Sequence, residues 1–75
     1  MKIQLKLFAT LATFRPDSAQ CYELPDGSTV EDLIATLGIP EKEVHLIFID
    51  NAHAERETVI KDGARVALFP AVGGG

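Results

Sequence analysis

Thr29-Val30-Glu31-Asp32-Leu33-Ile34-Ala35-Thr36-Leu37-Gly38-Ile39-Pro40 is the stretch from which the fold can be read. Val30, Leu33, Ile34 and Leu37 recur at i, i+3, i+4 and i+7, the apolar stripe of an amphipathic helix. Thr29 is placed to cap its N-terminus, because a threonine hydroxyl can accept from a free backbone N–H of the first turn. Glu31 and Asp32 fall in that turn, where the helix dipole favours negative charge. Gly38 stands where a left-handed C-cap is needed, and Pro40 bars continuation. The stripe predicts a helix of about ten residues with one face buried.

A helix with one wet face needs a sheet to cover, and the flanking sequence supplies strands. Lys2-Ile3-Gln4-Leu5-Lys6-Leu7 alternates, with Ile3, Leu5 and Leu7 on one face. Phe8 onward shifts to helical spacing through Leu7, Leu11 and Phe14, and predicts a short helix or turn stopped by Arg15-Pro16-Asp17. Gln20–Leu24 reads as a second strand with Tyr22 and Leu24 inward, followed by a turn at Pro25-Asp26-Gly27. Val44–Ile49 is too apolar for a half-wet strand and is expected to be central. Asp50-Asn51 turns the chain, 52–57 is polar and expected to be loop, and Thr58-Val59-Ile60 is a short extended piece. Asp62-Gly63 is a further turn signal, and Ala64–Phe69 is the last strand, ended by Pro70. Phe69 is out of phase with Val66 and Leu68, so alternation turns it to the other face, either as a partner anchor or as a cover for the open side. Together these elements predict an α+β domain, a mixed sheet of about four strands crossed by one main helix.

The chain of 75 residues is one domain, with an ordinary globular composition of 47 % hydrophobic and 24 % charged residues. The longest near-continuous apolar run, Leu46–Ile49, is far short of a membrane span, and a secretory signal is not expected, because Met1-Lys2 opens straight into the alternating strand pattern. Eleven acids against seven bases give −4, which repels nucleic acid and suits a partner with a basic patch. A single cysteine, Cys21, cannot close an internal disulfide and fits a reducing, cytoplasmic setting. Cys21 is open to two readings, inert packing or a persulfide carrier. His45 and His53 lack zinc spacing, so no metal site is expected, and no glycine-rich phosphate loop precedes a helix. Asp26, Glu31, Asp32, Glu41 and Glu43 form either a solvated acidic edge or a docking surface.

The chain divides into a folded part, 1–70, and a glycine-rich tail, 71–75, ending Gly73-Gly74-Gly75. Glycines resist ordering, so the tail is expected to be flexible. Without Cβ atoms it can also enter a channel too narrow for other residues, carrying the Gly75 carboxylate as a reactive group on a slender tether. A carboxylate is inert to nucleophiles until activated. Adenylation by ATP creates a leaving group that a sulfur donor or an amine can displace. The alternative is a frayed end without a role.

Three features together resemble the MoaD/ThiS sulfur-carrier family. They are the helix Thr29–Leu37, the run Lys61-Asp62-Gly63-Ala64-Arg65-Val66-Ala67-Leu68-Phe69-Pro70, and the ending Ala71-Val72-Gly73-Gly74-Gly75. The resemblance covers essentially the whole chain. It implies a β-grasp, ubiquitin-like fold with a mixed sheet of four to five strands. It implies that Gly75 is adenylated and then thiocarboxylated, that Gly74 completes the essential pair, and that Phe69, Pro70, Val72 and Gly73 meet partners. Phe8-Ala9-Thr10-Leu11 after the first strand resembles the MoaD branch, the small subunit of molybdopterin synthase. The implied partners are an adenylating activating enzyme, ThiF-like in role, which uses the ATP, and the larger catalytic subunit of molybdopterin synthase. The implied functional group is the C-terminal thiocarboxylate, with no cofactor bound by the chain itself and no nucleic-acid or membrane partner. Other relatives serve thiamin thiazole or other sulfur pathways, or are ubiquitin-like modifiers conjugated through the last glycine.

Overall fold

The computed structural model describes residues 1–71. Its elements are β1 (Lys2–Leu7), β2 (Tyr22–Glu23), α1 (Val30–Leu37), β3 (Leu46–Ile49), β4 (Ala52–His53) and β5 (Arg65–Phe69), with short 3-10 turns at Ala9–Phe14, Ala19–Cys21 and Glu41–Glu43. The strands form one five-stranded sheet in the order β2-β1-β5-β3-β4. β1 and β5 run parallel, and every other neighbour is antiparallel. This is the α+β, β-grasp arrangement expected above.

Helix α1 forms for the reasons its sequence suggests. The Thr29 hydroxyl accepts from the Asp32 N–H while the Asp32 carboxylate accepts from the Thr29 N–H, a reciprocal capping box. Thr58 and Arg56 carbonyls accept from the N–H groups of Val30 and Glu31, and the Thr29 carbonyl accepts from Leu33, so the free donors of the first turn are all satisfied. Gly38 closes the helix at φ +76°, and the Ile39 N–H returns to the Ile34 carbonyl. Val30, Leu33 and Ile34 are completely buried. They lie in one core with Ile3, Leu5 and Leu7 of β1, Ile47 of β3, and Val66 and Leu68 of β5. Fully burying each such side chain stabilises the fold by about 1.5–3 kcal/mol.

The turn at Asp62-Gly63 sets β5 beside β1. Gly63 adopts φ +82°, its N–H donates to the Lys2 carbonyl at 2.7 Å, and the Lys2 N–H donates to Asp62 Oδ1 at 2.8 Å. β5 therefore starts level with β1, and Leu5 pairs with Val66 and Leu7 with Leu68 across the parallel ladder.

The Val44–Ile49 segment supplies β3, an interior strand paired with β5 on one side and β4 on the other, with Ile47 in the core, as its apolar sequence requires. Three sequence expectations change. Within 52–57, expected as loop, Ala52–His53 pairs with β3 through a two-residue turn. Asp50 and Asn51 both have positive φ there, the geometry whose twist suits a hairpin. The second strand shrinks to Tyr22–Glu23, because Ala19–Cys21 winds into a 3-10 turn that buries Ala19 beside β1. The helix has eight residues rather than ten.

Candidate functional site: the open sheet face at the end of β5

Val72, Gly73, Gly74 and Gly75, the sequence-expected reactive end, lie outside the described residues, so the site is built from the point where β5 delivers the chain to them. That point is held on both flanks. The Leu68 carbonyl accepts from the Phe8 N–H at 3.2 Å, and the Phe69 carbonyl accepts from the His45 N–H at 2.8 Å. Pro70, expected at a partner contact, has its side chain buried in the domain, and Ala71 is exposed.

Phe69 turns to the face away from α1, as its phase requires, and stands half-buried rather than free. Its ring stacks on Phe8, with centroids 4.3 Å apart and planes 7° from parallel, and meets Phe48 edge-on at 5.7 Å and 84°. Phe48 in turn meets the edge of His53 at 5.8 Å. Strand register explains the cluster. Leu46 pairs with Phe69 and Phe48 with Ala67, so alternate residues of β3 and β5 share the outer face. Phe8 and Leu46 remain 39 % and 40 % exposed, values that mark an apolar patch on the surface rather than a second core.

A shallow, solvent-open depression of ≈ 350 Å³ lies over Ala67, bounded by Lys6, Phe8, Phe48, Asn51 and Phe69. Cations line the same face. Lys6 pairs with Ala67 across the ladder and Gln4 with Arg65, which places Lys6 and Arg65 on the outer side with Lys2. Among the described residues, none of the three has a carboxylate within ion-pair distance. Asp50 Oδ1 accepts from the Arg65 backbone N–H and Asp62 Oδ1 from that of Lys2, while the exposed Glu23, which pairs with Lys2 across β1 and β2, adds a carboxylate to the same face.

The other sequence candidates do not join this face. Asp32 is committed to the helix cap, and Asp26 lies 3.2 Å from the Met1 ammonium. Glu31 and Glu41 are exposed and Glu43 is half-buried. Cys21 is exposed. His53 lies 3.8 Å from Glu55, and among the described residues no group of three His, Cys, Asp or Glu side chains is placed to hold a metal ion. No helix among the described residues is long and apolar enough to cross a membrane. Sequence reasoning missed Phe8, Phe48, Ala67, Lys6 and Arg65 as parts of one surface. A signal was present: Phe8 has the parity of Lys2, Gln4 and Lys6, so continuing the β1 alternation by one step puts its ring on the outer face.

Comparison with known proteins places these features in context. The model of the ThiS family matches residues 5–75. The crystal structure of SAMP1 from Haloferax volcanii superposes with a TM-score of 0.71 at 23 % identity, covering 100 % of both chains. A Pyrococcus furiosus protein that carries the name molybdopterin converting factor, subunit 1, superposes with a TM-score of 0.68 at 26 % identity, covering 96 % of this chain and 99 % of its own. No curated protein matches the chain in sequence.

Proposed function

The chain belongs to the ThiS family, and from that premise we propose that it is a sulfur carrier working through the carboxylate of Gly75. The observation that carries this reading is the extent of the family match, which runs through β5 to residue 75 and so includes the whole Gly73-Gly74-Gly75 end. In the proposed cycle a Gly75 carboxylate oxygen attacks the α-phosphate of ATP and pyrophosphate leaves. Hydrosulfide then adds to the acyl carbon, AMP departs and the sulfur loses its proton, leaving a thiocarboxylate. The chain is a protein co-substrate in this cycle: a separate adenylating enzyme binds the ATP, and the domain presents the end of the chain from a fixed point. Glycines suit that end because a side-chain-free segment fits a narrow channel.

The finer proposal is that the sulfur goes to molybdopterin, with this chain as the small subunit beside a larger catalytic subunit. Two features support it. The Pyrococcus furiosus neighbour is named as a subunit of a molybdopterin converting factor. The excursion after β1, with Leu11 completely buried and Ala9–Phe14 in a 3-10 turn, is the feature by which the sequence resembles the MoaD branch. Intact mass measurement after incubation with an adenylating enzyme, ATP and a sulfur source tests the carrier reading. Replacement of one oxygen by sulfur is expected, and its absence under conditions that charge a known carrier would overturn it. The alternative, a ubiquitin-like modifier, is compatible with the fold shared with SAMP1. It requires isopeptide-linked Gly75 on lysines of other proteins, which proteomics of cell extracts can detect.

A further inference from the structure

Arg56 lies in the segment between β4 and β5 and is bonded to two other parts of the fold. Its backbone carbonyl accepts from the Glu31 N–H at 2.9 Å, in the first turn of α1. Its Nη2 donates to the Glu41 carbonyl at 2.7 Å and to the Val44 carbonyl at 2.9 Å, in the turn that leads into β3. No carboxylate among the described residues is within ion-pair distance of Arg56, so its charge falls on these two carbonyls. Nη1 is buried with no hydrogen-bond partner among the described residues. A guanidinium held this way carries a desolvation cost that an apolar side chain of similar length avoids, so packing alone does not account for a cation here.

The Val44 contact gives the cation a task. The Val44 carbonyl and the His45 N–H belong to one peptide unit. Arg56 bonds the oxygen of that unit at 2.9 Å, and the N–H of the same unit donates to the Phe69 carbonyl at 2.8 Å. A positive charge on the oxygen draws electron density from the nitrogen and makes the N–H a stronger donor, as in other chains of hydrogen bonds that polarise one another. Val44 is buried and Arg56 half-buried, so water screens the effect little. The relay ends on the amide between Phe69 and Pro70. Proline has no N–H, so this amide is held only through its oxygen, and it is the amide that hands the chain on to residues 71–75. We propose that Arg56 is a positioning residue for the chemistry at Gly75: through the peptide between Val44 and His45 it fixes the Phe69–Pro70 amide, and with it the direction in which the chain leaves β5. The relay itself stands on the geometry; its consequence for the chemistry rests on the sulfur-carrier reading.

Two measurements on the full chain test it. The first is NMR of the isotope-labelled protein, reading the His45 amide proton shift and the scalar coupling across the hydrogen bond from His45 N–H to the Phe69 carbonyl. Arg56→Met keeps the apolar stem and removes charge and donors. It is expected to move the His45 amide proton upfield and to weaken that coupling. The bond from Phe8 N–H to the Leu68 carbonyl, on the opposite flank of β5, is the internal control and is expected to stay unchanged. Arg56→Lys, which retains a charged donor, is expected to restore the His45 signal. Should Arg56→Met fail to fold, Arg56→Gln, neutral but still a donor, is expected to move the His45 signal the same way and less far. The second measurement is ATP–pyrophosphate exchange with an adenylating enzyme purified by its ability to charge the wild-type chain. Arg56→Met, assayed where NMR shows it folded, is expected to lower kcat about ten-fold with little change in the KM for the chain, because the carboxylate is misdirected while contacts elsewhere persist. Arg56→Lys is expected to recover most of that loss. A His45 signal unmoved in the neutral variants, equal loss on both flanks of β5, no rescue by lysine, or exchange at the wild-type rate in a folded neutral variant would overturn the proposal. If no enzyme charges the wild-type chain, the sulfur-carrier reading fails and takes the role in chemistry with it, whereas the NMR measurement decides the relay by itself.

Discussion

The ring of Phe8 lies flat on that of Phe69, 4.3 Å away and 7° from parallel, and joins the residue after the first strand to the last residue of the final one. The contact spans the central parallel pair at the level where the chain leaves the sheet, next to the hydrogen bond from Phe8 N–H to the Leu68 carbonyl. The stack is both a surface feature and a brace for that exit. Replacing Phe69 by alanine removes two aromatic contacts at a half-buried position. It should cost about 1–2 kcal/mol of stability, less than the ~3–5 kcal/mol typical of a phenylalanine in a core. Thermal unfolding measures that cost. Activation by the adenylating enzyme should fall further than the stability loss explains, because the folded fraction stays near unity at 25 °C.

Ala9 holds φ +50°, a left-handed conformation that crowds its Cβ, directly after Phe8. Glycine would relieve about 1–2 kcal/mol of strain, set against an added backbone entropy cost of about 0.5–1 kcal/mol. The expected balance is a gain of roughly 0.5–1 kcal/mol in Ala9→Gly, a rise in melting temperature of a few degrees. A fall in melting temperature would show that the Ala9 methyl makes a contact worth more than its strain.

Gly63 shows the converse. Its φ of +82° is needed for the turn that bonds Gly63 and Asp62 to Lys2, and a Cβ built there would meet no atom within 4 Å. Gly63→Ala should therefore lose stability through the backbone alone, by about 1–2 kcal/mol. Because that turn sets the β1–β5 register, amide exchange should quicken first along β1 and β5, while α1 stays protected.

Local signals with a single dominant cause are legible in the sequence. The helix, its Thr29 cap and its Gly38 stop follow from side-chain spacing and two termini, and the Asp62-Gly63 turn follows from glycine's freedom at positive φ. The inner face is legible too, since Ile3, Leu5, Leu7, Val66 and Leu68 alternate as they should. What depends on which strands are neighbours is not legible. Phe8, Phe48 and Phe69 are far apart in sequence, and only the order β1-β5-β3 brings them onto one surface. Lys6 and Arg65 look like ordinary solvated charges until Gln4 and Lys6 are paired against Arg65 and Ala67. The shortening of the second strand is hidden for a different reason: burying Ala19 favours a 3-10 turn over the local strand pattern of Gln20–Leu24.

Leu33 and Thr29 offer a calibrated pair within one helix. Leu33 is completely buried, and truncation to alanine should cost about 2–5 kcal/mol, including the cavity left behind. Thr29→Ala removes only the acceptor for the Asp32 N–H and should cost about 0.5–2 kcal/mol. Each kilocalorie lowers the melting temperature of a domain this size by about 4–8 °C, so calorimetry separates the two. Equal shifts would mean that the helix is not packed by its Leu33 face.

The position of the last carboxylate provides the sharpest check on the proposed chemistry. β5 ends at a fixed point, with the Leu68 and Phe69 carbonyls both bonded, so the length of chain after Ala71 sets where the acyl carbon can go. Adding one alanine after Gly75 moves the carboxylate by about 3.3–3.6 Å and places a Cβ beside it. A near-attack geometry tolerates far less than that displacement. The extended protein should therefore melt like the wild type, because no core residue has changed, while its ATP–pyrophosphate exchange falls at least about 100-fold. Deleting Gly75 should have the same effect by displacement in the other direction. Normal exchange by either variant would mean that the working group is not the carboxylate of residue 75, and the sulfur-carrier assignment would then lose its reactive atom.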